Sequence, residues 1–290
     1  MKQDSASFRL LVHTAMRVAT HLAREASWAL RARERWERER LRRHWVFVTG
    51  CNRSGKTIVS NLLANHPNVA VIPNANSCTS ALPESGAEGC PHVWTEKLDR
   101  FRLTEDSDTV PAARLTFDWL NQIDSSPYVV VESDVAAAQG RWLQRTFPGC
   151  AVVGILRNGY AVARGIWLKE RYSIDRCAAH WRAVNTTMMG DAERMERFML
   201  LRYEDLVRAP HATIANLARF LGIDFDPLRR GIDAGWRLGN LDVSTAQLAD
   251  RNPSLIAELS VDDVQTITRC AGDLLRQLGY QASSGTGPRQ

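Results

Sequence analysis

Residues 45–67, WVFVTGCNRSGKTIVSNLLANHP, constrain this chain more than any other stretch. Trp45-Val46-Phe47-Val48 is a short β-branched and aromatic run, and Ile58, Leu62 and Leu63 recur on one helical face. Between them, Gly50-Cys51-Asn52-Arg53-Ser54-Gly55-Lys56-Thr57 has the spacing G-x-x-x-x-G-K-[ST] of a loop that wraps a phosphate. A backbone enclosing an anion must turn several N–H groups inward, and Gly55 permits the close approach this needs. The helix that follows offers its unpaired N-terminal N–H groups and the positive end of its dipole. Lys56 and Arg53 add full charges, and the Thr57 hydroxyl can donate to a phosphate oxygen or ligate a metal. The expected anion site is therefore Asn52, Arg53, Ser54, Gly55, Lys56 and Thr57.

Past this loop, apolar runs of strand length alternate with helical patterns. Strands are expected at 45–49, 69–72, 128–131, 151–156 and 198–201. Helices are expected at 56–65, 110–122, 135–146 and 160–170, and near 174–197, 211–221 and 261–278. Residues 73–95 are rich in Pro, Gly, Ser and Asn without periodicity and read as a loop or lid. The alternation implies an α/β domain of P-loop NTPase type, a parallel β-sheet flanked by helices on both faces, over residues 45–280. Residues 1–44 are expected to form an N-terminal helical arm, and 281–290 a flexible tail.

The charge sits unevenly. Of 37 Lys/Arg and 32 Asp/Glu in the chain, residues 1–44 hold 11 and 5. The excess of positive charge thus belongs to the arm, and the body offers no basic footprint for nucleic acid. Phe8, Leu11, Val12, Ala15, Ala19, Leu22, Ala26 and Leu30 trace one apolar stripe, after which RARERWERERLRR reads as a solvated helix. An arm of this kind suits a partner subunit, an anionic membrane surface or the chain's own body. No run approaches the length of a membrane span, and Arg9, Arg17 and Arg24 interrupt any secretory pattern. The six cysteines show no metal-ligand spacing and read as reduced thiols of a cytoplasmic protein, with Cys78 and Cys90 close enough in sequence to pair. No metal site is expected.

A phosphate-binding loop serves nucleoside triphosphatases and kinases as well as sulfuryl transfer. The first use needs an acid at the end of a buried strand to hold magnesium, and Val129-Val130-Val131-Glu132 supplies one. Three further segments point to the second use. Val152–Leu156 runs into Arg157-Asn158 at a strand end, where doubly wound sheets bind ligands. Leu201-Arg202-Tyr203-Glu204-Asp205-Leu206-Val207 precedes a helix closing in Phe220-Leu221-Gly222, and Arg251-Asn252-Pro253-Ser254 precedes one closing in Leu278-Gly279-Tyr280. With these segments the chain resembles the sulfotransferases that use 3′-phosphoadenosine 5′-phosphosulfate (PAPS), over about residues 45–280. The resemblance implies that Arg53-Ser54-Gly55-x-Thr57 holds the 5′-phosphosulfate. It implies a 3′-phosphate segment in Arg157-Asn158-x-x-x-Val162-Ala163 and a nucleotide contact at Arg251.

Two positions depart from the family pattern. Lys56 stands where a Thr or another small polar residue is usual, and Gly165 stands where a 3′-phosphate Ser is expected, with Arg164 beside it. The resemblance implies transfer of a sulfuryl group from PAPS to a hydroxyl or amine of a small-molecule, carbohydrate or lipid acceptor, with no obligatory metal. Lys56 and Arg53 would then neutralise the leaving phosphate and the transferring group. A Glu usual after the first helix is replaced by Asn74 or Asn76, leaving the general base open among Glu84, Glu88, His92, Glu132 and His66, with Glu84 and Glu132 foremost. The alternatives are an ATP-dependent kinase and a nucleotide-binding relative without turnover.

Overall fold

A computed structural model of the chain describes residues 30–75, 92–108 and 119–281, except 32, 124 and 235–248. Five strands form one sheet: β1 His44–Gly50, β2 Val69–Ile72, β3 Tyr128–Glu132, β4 Ala151–Leu156 and β5 Phe198–Arg202. Their order is β2-β3-β1-β4-β5, and all four pairings are parallel. Val46 stands opposite Val130 on one side and Ala151 on the other, so β1 is the centre of the sheet.

A parallel sheet covered on both faces needs apolar residues at successive positions, not at alternate ones. That is why β1, β3 and β4 read as unbroken apolar runs and are buried almost throughout. The period of two then sorts β1 between faces. Trp45 and Phe47 join Trp119, Trp142 and Phe147, with Trp45 and Phe147 ring centroids 4.8 Å apart. Val46 and Val48 face Val59, Leu62 and Leu63 of the helix Lys56–Leu63. Each such fully buried side chain contributes about 1.5–3 kcal/mol. A further cluster around Trp94, Tyr160 and Trp181 binds the helices Gly159–Glu170, Ile174–Ala192 and Val261–Gln277 together.

Several expected boundaries move. The helix expected over 135–146 is a 3-10 turn, Val135–Ala138, followed by a helix at Gly140–Thr146, and Gln139 at φ −130° breaks the run. The helical pattern near 174–197 ends at Ala192. The strand expected at 198–201 extends to Arg202, and Tyr203–Arg208 is helical, with Glu204 and Asp205 in its first turn at the positive end of the helix dipole. Short helices at Asp226–Asp233 and Asn252–Ala257, each with Pro in its first turn, were not read from the pattern. Of the helix expected at 110–122, positions 110–118 lie outside the described residues.

The charge-dense part of the arm is not a solvated helix. Residues 33–42 are helical, and Trp36 and Glu39 are buried against the body. Arg43 Nε donates to Glu39 at 2.6 Å, Arg40 reaches the Thr146 carbonyl, and Arg35 donates to Asn121. Residues 1–29, with most of the apolar stripe, lie outside the described part. Among the described residues no helix is long and apolar enough to cross a membrane.

Candidate active site

β1, β3 and β4 end at one edge of the sheet, and the chain changes direction across the sheet beside β1. Such a switch point opens a crevice above the strand ends. The 50–57 loop fills it. Gly50 adopts φ 140°, and a Cβ there would lie 2.4 Å from the Ile155 carbonyl oxygen. Gly55, at φ 104°, caps the helix Lys56–Leu63, and a Cβ would touch the Tyr203 ring at 3.0 Å. Both glycines are therefore required by backbone geometry and by close approach. Arg53 is held at φ 65°, and the buried Ser54 hydroxyl has no partner among the described residues.

On the β3 side the loop's polar groups are already engaged. Lys56, though a lysine, is buried; Nζ donates to the Cys51 carbonyl at 2.9 Å and forms an ion pair with Asp134. The Thr57 hydroxyl donates to Glu132 Oε1 at 2.7 Å. Glu132 is buried, and its second oxygen is sealed with no partner among the described residues. An acceptor hydroxyl would have to open the loop to touch it.

On the β4 side one cation is built in and left incomplete. Arg157 follows β4 and is 8% exposed. Its Nε donates to Asn252 Oδ1 at 2.7 Å and Nη1 to the Arg53 carbonyl at 2.9 Å, while the guanidinium lies 3.9 Å over the Tyr203 ring. Nη2 is buried and has no partner among the described residues. Burial lowers the Arg157 pKa, against the pull of Tyr203 and Glu204. An unpaired donor on a buried guanidinium is costly, and a multiply charged oxyanion is the group that best completes it.

The surrounding motifs converge on Glu204. Its Oε1 accepts from the Asn158 backbone N–H at 2.8 Å and from Asn252 Nδ2 at 2.7 Å, and its Oε2 accepts from the Tyr280 hydroxyl at 2.9 Å. Burial and this carboxylate push the Tyr280 hydroxyl pKa up. The Arg251 backbone N–H donates to the Tyr203 hydroxyl, and the Arg251 side chain is exposed at the start of the helix Asn252–Ala257. Gly165 faces the stem of Arg53, whose Cβ would be 3.5 Å from a Cβ at 165. Arg164 turns elsewhere, to Glu258 at 3.0 Å and over Trp167.

Thus the loop 52–57, Arg157, Gly165 and the Arg251 backbone are linked by contacts through Arg53 and Tyr203, and Glu132 is tied to the loop through Thr57. Glu84 and Glu88 fall outside the described residues, as do Cys78 and Cys90. His66 closes its turn by accepting from the Asn68 backbone N–H. Asp134 and His180 were missed, and nothing in their local sequence marks them. Glu204, Tyr203, Asn252 and Tyr280 stood in noted motifs without a role. His180 is fully buried; its Nε2 donates to Asn52 Oδ1, and burial pushes its pKa down to about 4. Cys51, Cys150, Cys177 and Cys270 are free; burial raises the Cys51 pKa and pushes those of Cys150 and Cys177 up to about 12.

A family model described as the sulfotransferase family matches residues 46–227, the span from β1 to the start of the helix Asp226–Asp233. The chain belongs to the sulfotransferase family. It is 24% identical over 196 residues to protein-tyrosine sulfotransferase 1 of Danio rerio, covering 62% of this chain and 54% of that protein. The chain thus spans about half the length of that relative. Its fold is similar to the sulfotransferase domain of a Synechococcus olefin synthase, with a TM-score of 0.53, 21% identity, and 83% of this chain and 96% of that one covered. It is also similar to a sulfotransferase domain from the curacin biosynthetic pathway, with a TM-score of 0.51, 18% identity, and 82% and 98% covered.

Proposed function

We propose that the chain transfers a sulfuryl group from PAPS to a hydroxyl or amine of a small-molecule, carbohydrate or lipid acceptor. The observation that carries this reading is Arg157: buried, tied by Nη1 to the loop backbone, and with Nη2 unfilled. ATP has no 3′-phosphate to meet that donor; PAPS does. The Ser54 hydroxyl and the N–H groups at the start of the helix Lys56–Leu63 hold the 5′-phosphate. Arg53, exposed at the mouth of the loop, meets charge that develops on the transferring group. Lys56 braces the loop, its charge balanced by Asp134. Thr57, fixed by Glu132, keeps its hydroxyl oxygen as an acceptor and its amide toward the anion.

Sulfuryl transfer then proceeds by in-line attack, and the residues act mainly by positioning and charge stabilisation. The acceptor class extends to a phenolic hydroxyl such as the tyrosine in the zebrafish relative's name. Free thiols among the described residues fit a cytoplasmic setting, and we assign the N-terminal arm, residues 1–44, contact with a membrane surface or a second subunit. Calorimetry with adenosine 3′,5′-bisphosphate (PAP) against Mg-ATP tests the donor. PAP is expected to bind and Mg-ATP to bind far more weakly; tight Mg-ATP binding without PAP binding would overturn the reading in favour of a kinase.

A further inference from the structure

The sheet is parallel, so its strands begin at the end opposite the phosphate-binding loop. Residues 148–150 lead into β4 there, and residues 194–197 lead into β5. With the helix Gly140–Thr146 and Glu105, they line a cavity of about 410 Å³. Four arginines stand in its wall, Arg141, Arg145, Arg194 and Arg197, against two carboxylates, Glu105 and Glu196. The lining therefore carries a net charge of +2, although the chain from residue 45 onward is nearly charge-balanced.

These arginines are mostly uncompensated. Among the described residues, only Arg141 has carboxylate partners: it pairs with Glu105, and its Nη1 lies 3.8 Å from Asp191. Asp191 is already held by both Nη atoms of Arg102, and Arg141 Nε is buried with no partner among the described residues. Arg145 donates to the carbonyls of Glu105 and Ser107. Arg197 donates to those of Gly149 at 2.8 Å and Phe220 at 3.1 Å. A carbonyl satisfies an N–H group without cancelling a full charge. Arg194 is exposed, and its side chain has no ion pair among the described residues. Arg141 and Arg145 are four residues apart on one helix, a spacing at which like charges repel. An anion between them turns that repulsion into attraction.

We propose that this cavity is a second anion site, separate from the catalytic crevice, and that it takes a small phosphate monoester. The helix Ile174–Ala192 sets the separation. His180 on it meets the loop at Asn52, and Asp191 at its far end meets Arg141, roughly 16 Å further along at the rise of an α-helix. Guanidinium forks match the oxygens of a phosphate, and the charge of a phosphomonoester dianion equals that of the lining. The volume falls in the range of small-molecule sites, which begins at about 300 Å³, and exceeds what a bare ion fills. Pro148 and the buried Cys150 supply an apolar wall for the organic part. The site stands whether or not the crevice transfers a sulfuryl group.

Calorimetry on the full chain, in about 50 mM salt to limit screening, tests it with glucose 6-phosphate, glucose 6-sulfate, glucose and inorganic phosphate. PAP is present throughout to occupy the catalytic crevice. Glucose 6-phosphate is expected to bind with a Kd below about 1 mM, the sulfate ester and inorganic phosphate at least threefold more weakly, and glucose not at all. Arg194→Glu, a change at an exposed side chain, should fold as wild type does and weaken glucose 6-phosphate by about tenfold. Arg145→Gln should weaken it by about threefold. Equal affinity in wild type and Arg194→Glu would overturn the site, as would binding seen only when PAP is left out, which would put the ester in the phosphate-binding loop. Inorganic phosphate bound as tightly as the ester would overturn the ester and leave an adventitious ion only.

Discussion

The two sides of the phosphate-binding loop are built on opposite principles. Toward β3 the cation has been answered from within, Lys56 by Asp134, and Thr57 donates to one oxygen of Glu132. Toward β4 the strongest charge is held rigidly and left one donor short, with Arg157 fixed by Asn252, Arg53 and Tyr203 while Nη2 stays open. Two buried cations about one loop thus have different functions. A balanced buried charge shapes the backbone, whereas an unbalanced one waits for a ligand. Read by charge alone, Lys56 looks like the binding residue; read by partners, Arg157 does.

The largest break in this comparison should come from Lys56→Met. The lysine is 6% exposed and Asp134 14%, so removing one leaves a largely buried carboxylate without its cation. We expect unfolding in urea to show a loss of about 3–5 kcal/mol, with Asp134→Asn added to Lys56→Met recovering most of it. If the single variant were as stable as wild type, the β3 side would not be a structural brace, and the lysine would return as a candidate for direct contact with the anion.

Arg157→Ala should act the other way, on binding more than on folding. It removes the buried donor aimed at the ligand, and losses at such sites run to about 4 kcal/mol, close to a thousandfold in PAP affinity. Calorimetry on a variant whose folding is verified by circular dichroism reads this directly. A PAP affinity within threefold of wild type would place the 3′-phosphate elsewhere.

Much of this was legible in the sequence because the signals were local. The loop spacing, the apolar runs of β1, β3 and β4, and Arg157 at a strand end each lie within a few consecutive residues. The partners that decide what each charge does are not local. Asp134 is 78 residues from Lys56, and Asn252 is 95 residues from Arg157. RYEDL, LGY and RNPS were recognised as motifs, but only the fold shows that they converge on Glu204. Trp36 escaped for a related reason: its neighbours in sequence are charged, while the fold places it in the apolar cluster that holds Trp45, Trp119 and Phe147.

His180 offers a third break, on the seam between the two sides. An unfolded imidazole ionises near 6.5, whereas burial holds the folded one at about 4. Between those values the unfolded chain binds more protons than the folded one. The stability tied to a neutral His180 is therefore complete above about pH 6.5 and lost progressively as pH falls toward 4, by at most about 3 kcal/mol. Urea unfolding at neutral and acidic pH should show this slope, and His180→Gln should flatten it. An unchanged slope would mean that other groups govern acid unfolding.

The smallest expected effect probes the middle of the crevice. At Gly165 the family pattern has a Ser, and an added Cβ would meet Arg53 Cβ, Cγ and Nε at 3.5, 3.6 and 3.8 Å, ordinary contact distances. No backbone strain forbids the change, because Gly165 lies within a regular helix. Gly165→Ser should therefore fold normally and gain a few tenths of a kcal/mol from helix propensity. Its hydroxyl, about two helical turns along from Arg157, should tighten PAP binding several-fold through one further hydrogen bond. Unchanged affinity would mean that Arg53 and Arg157 already satisfy the phosphates without it. Weakened affinity would mean that the missing side chain is what lets Arg53 lie across the helix. In that case the glycine is part of how this crevice positions its cation, and the departure from the family pattern belongs with Lys56 and Asp134 among the features that set this loop apart.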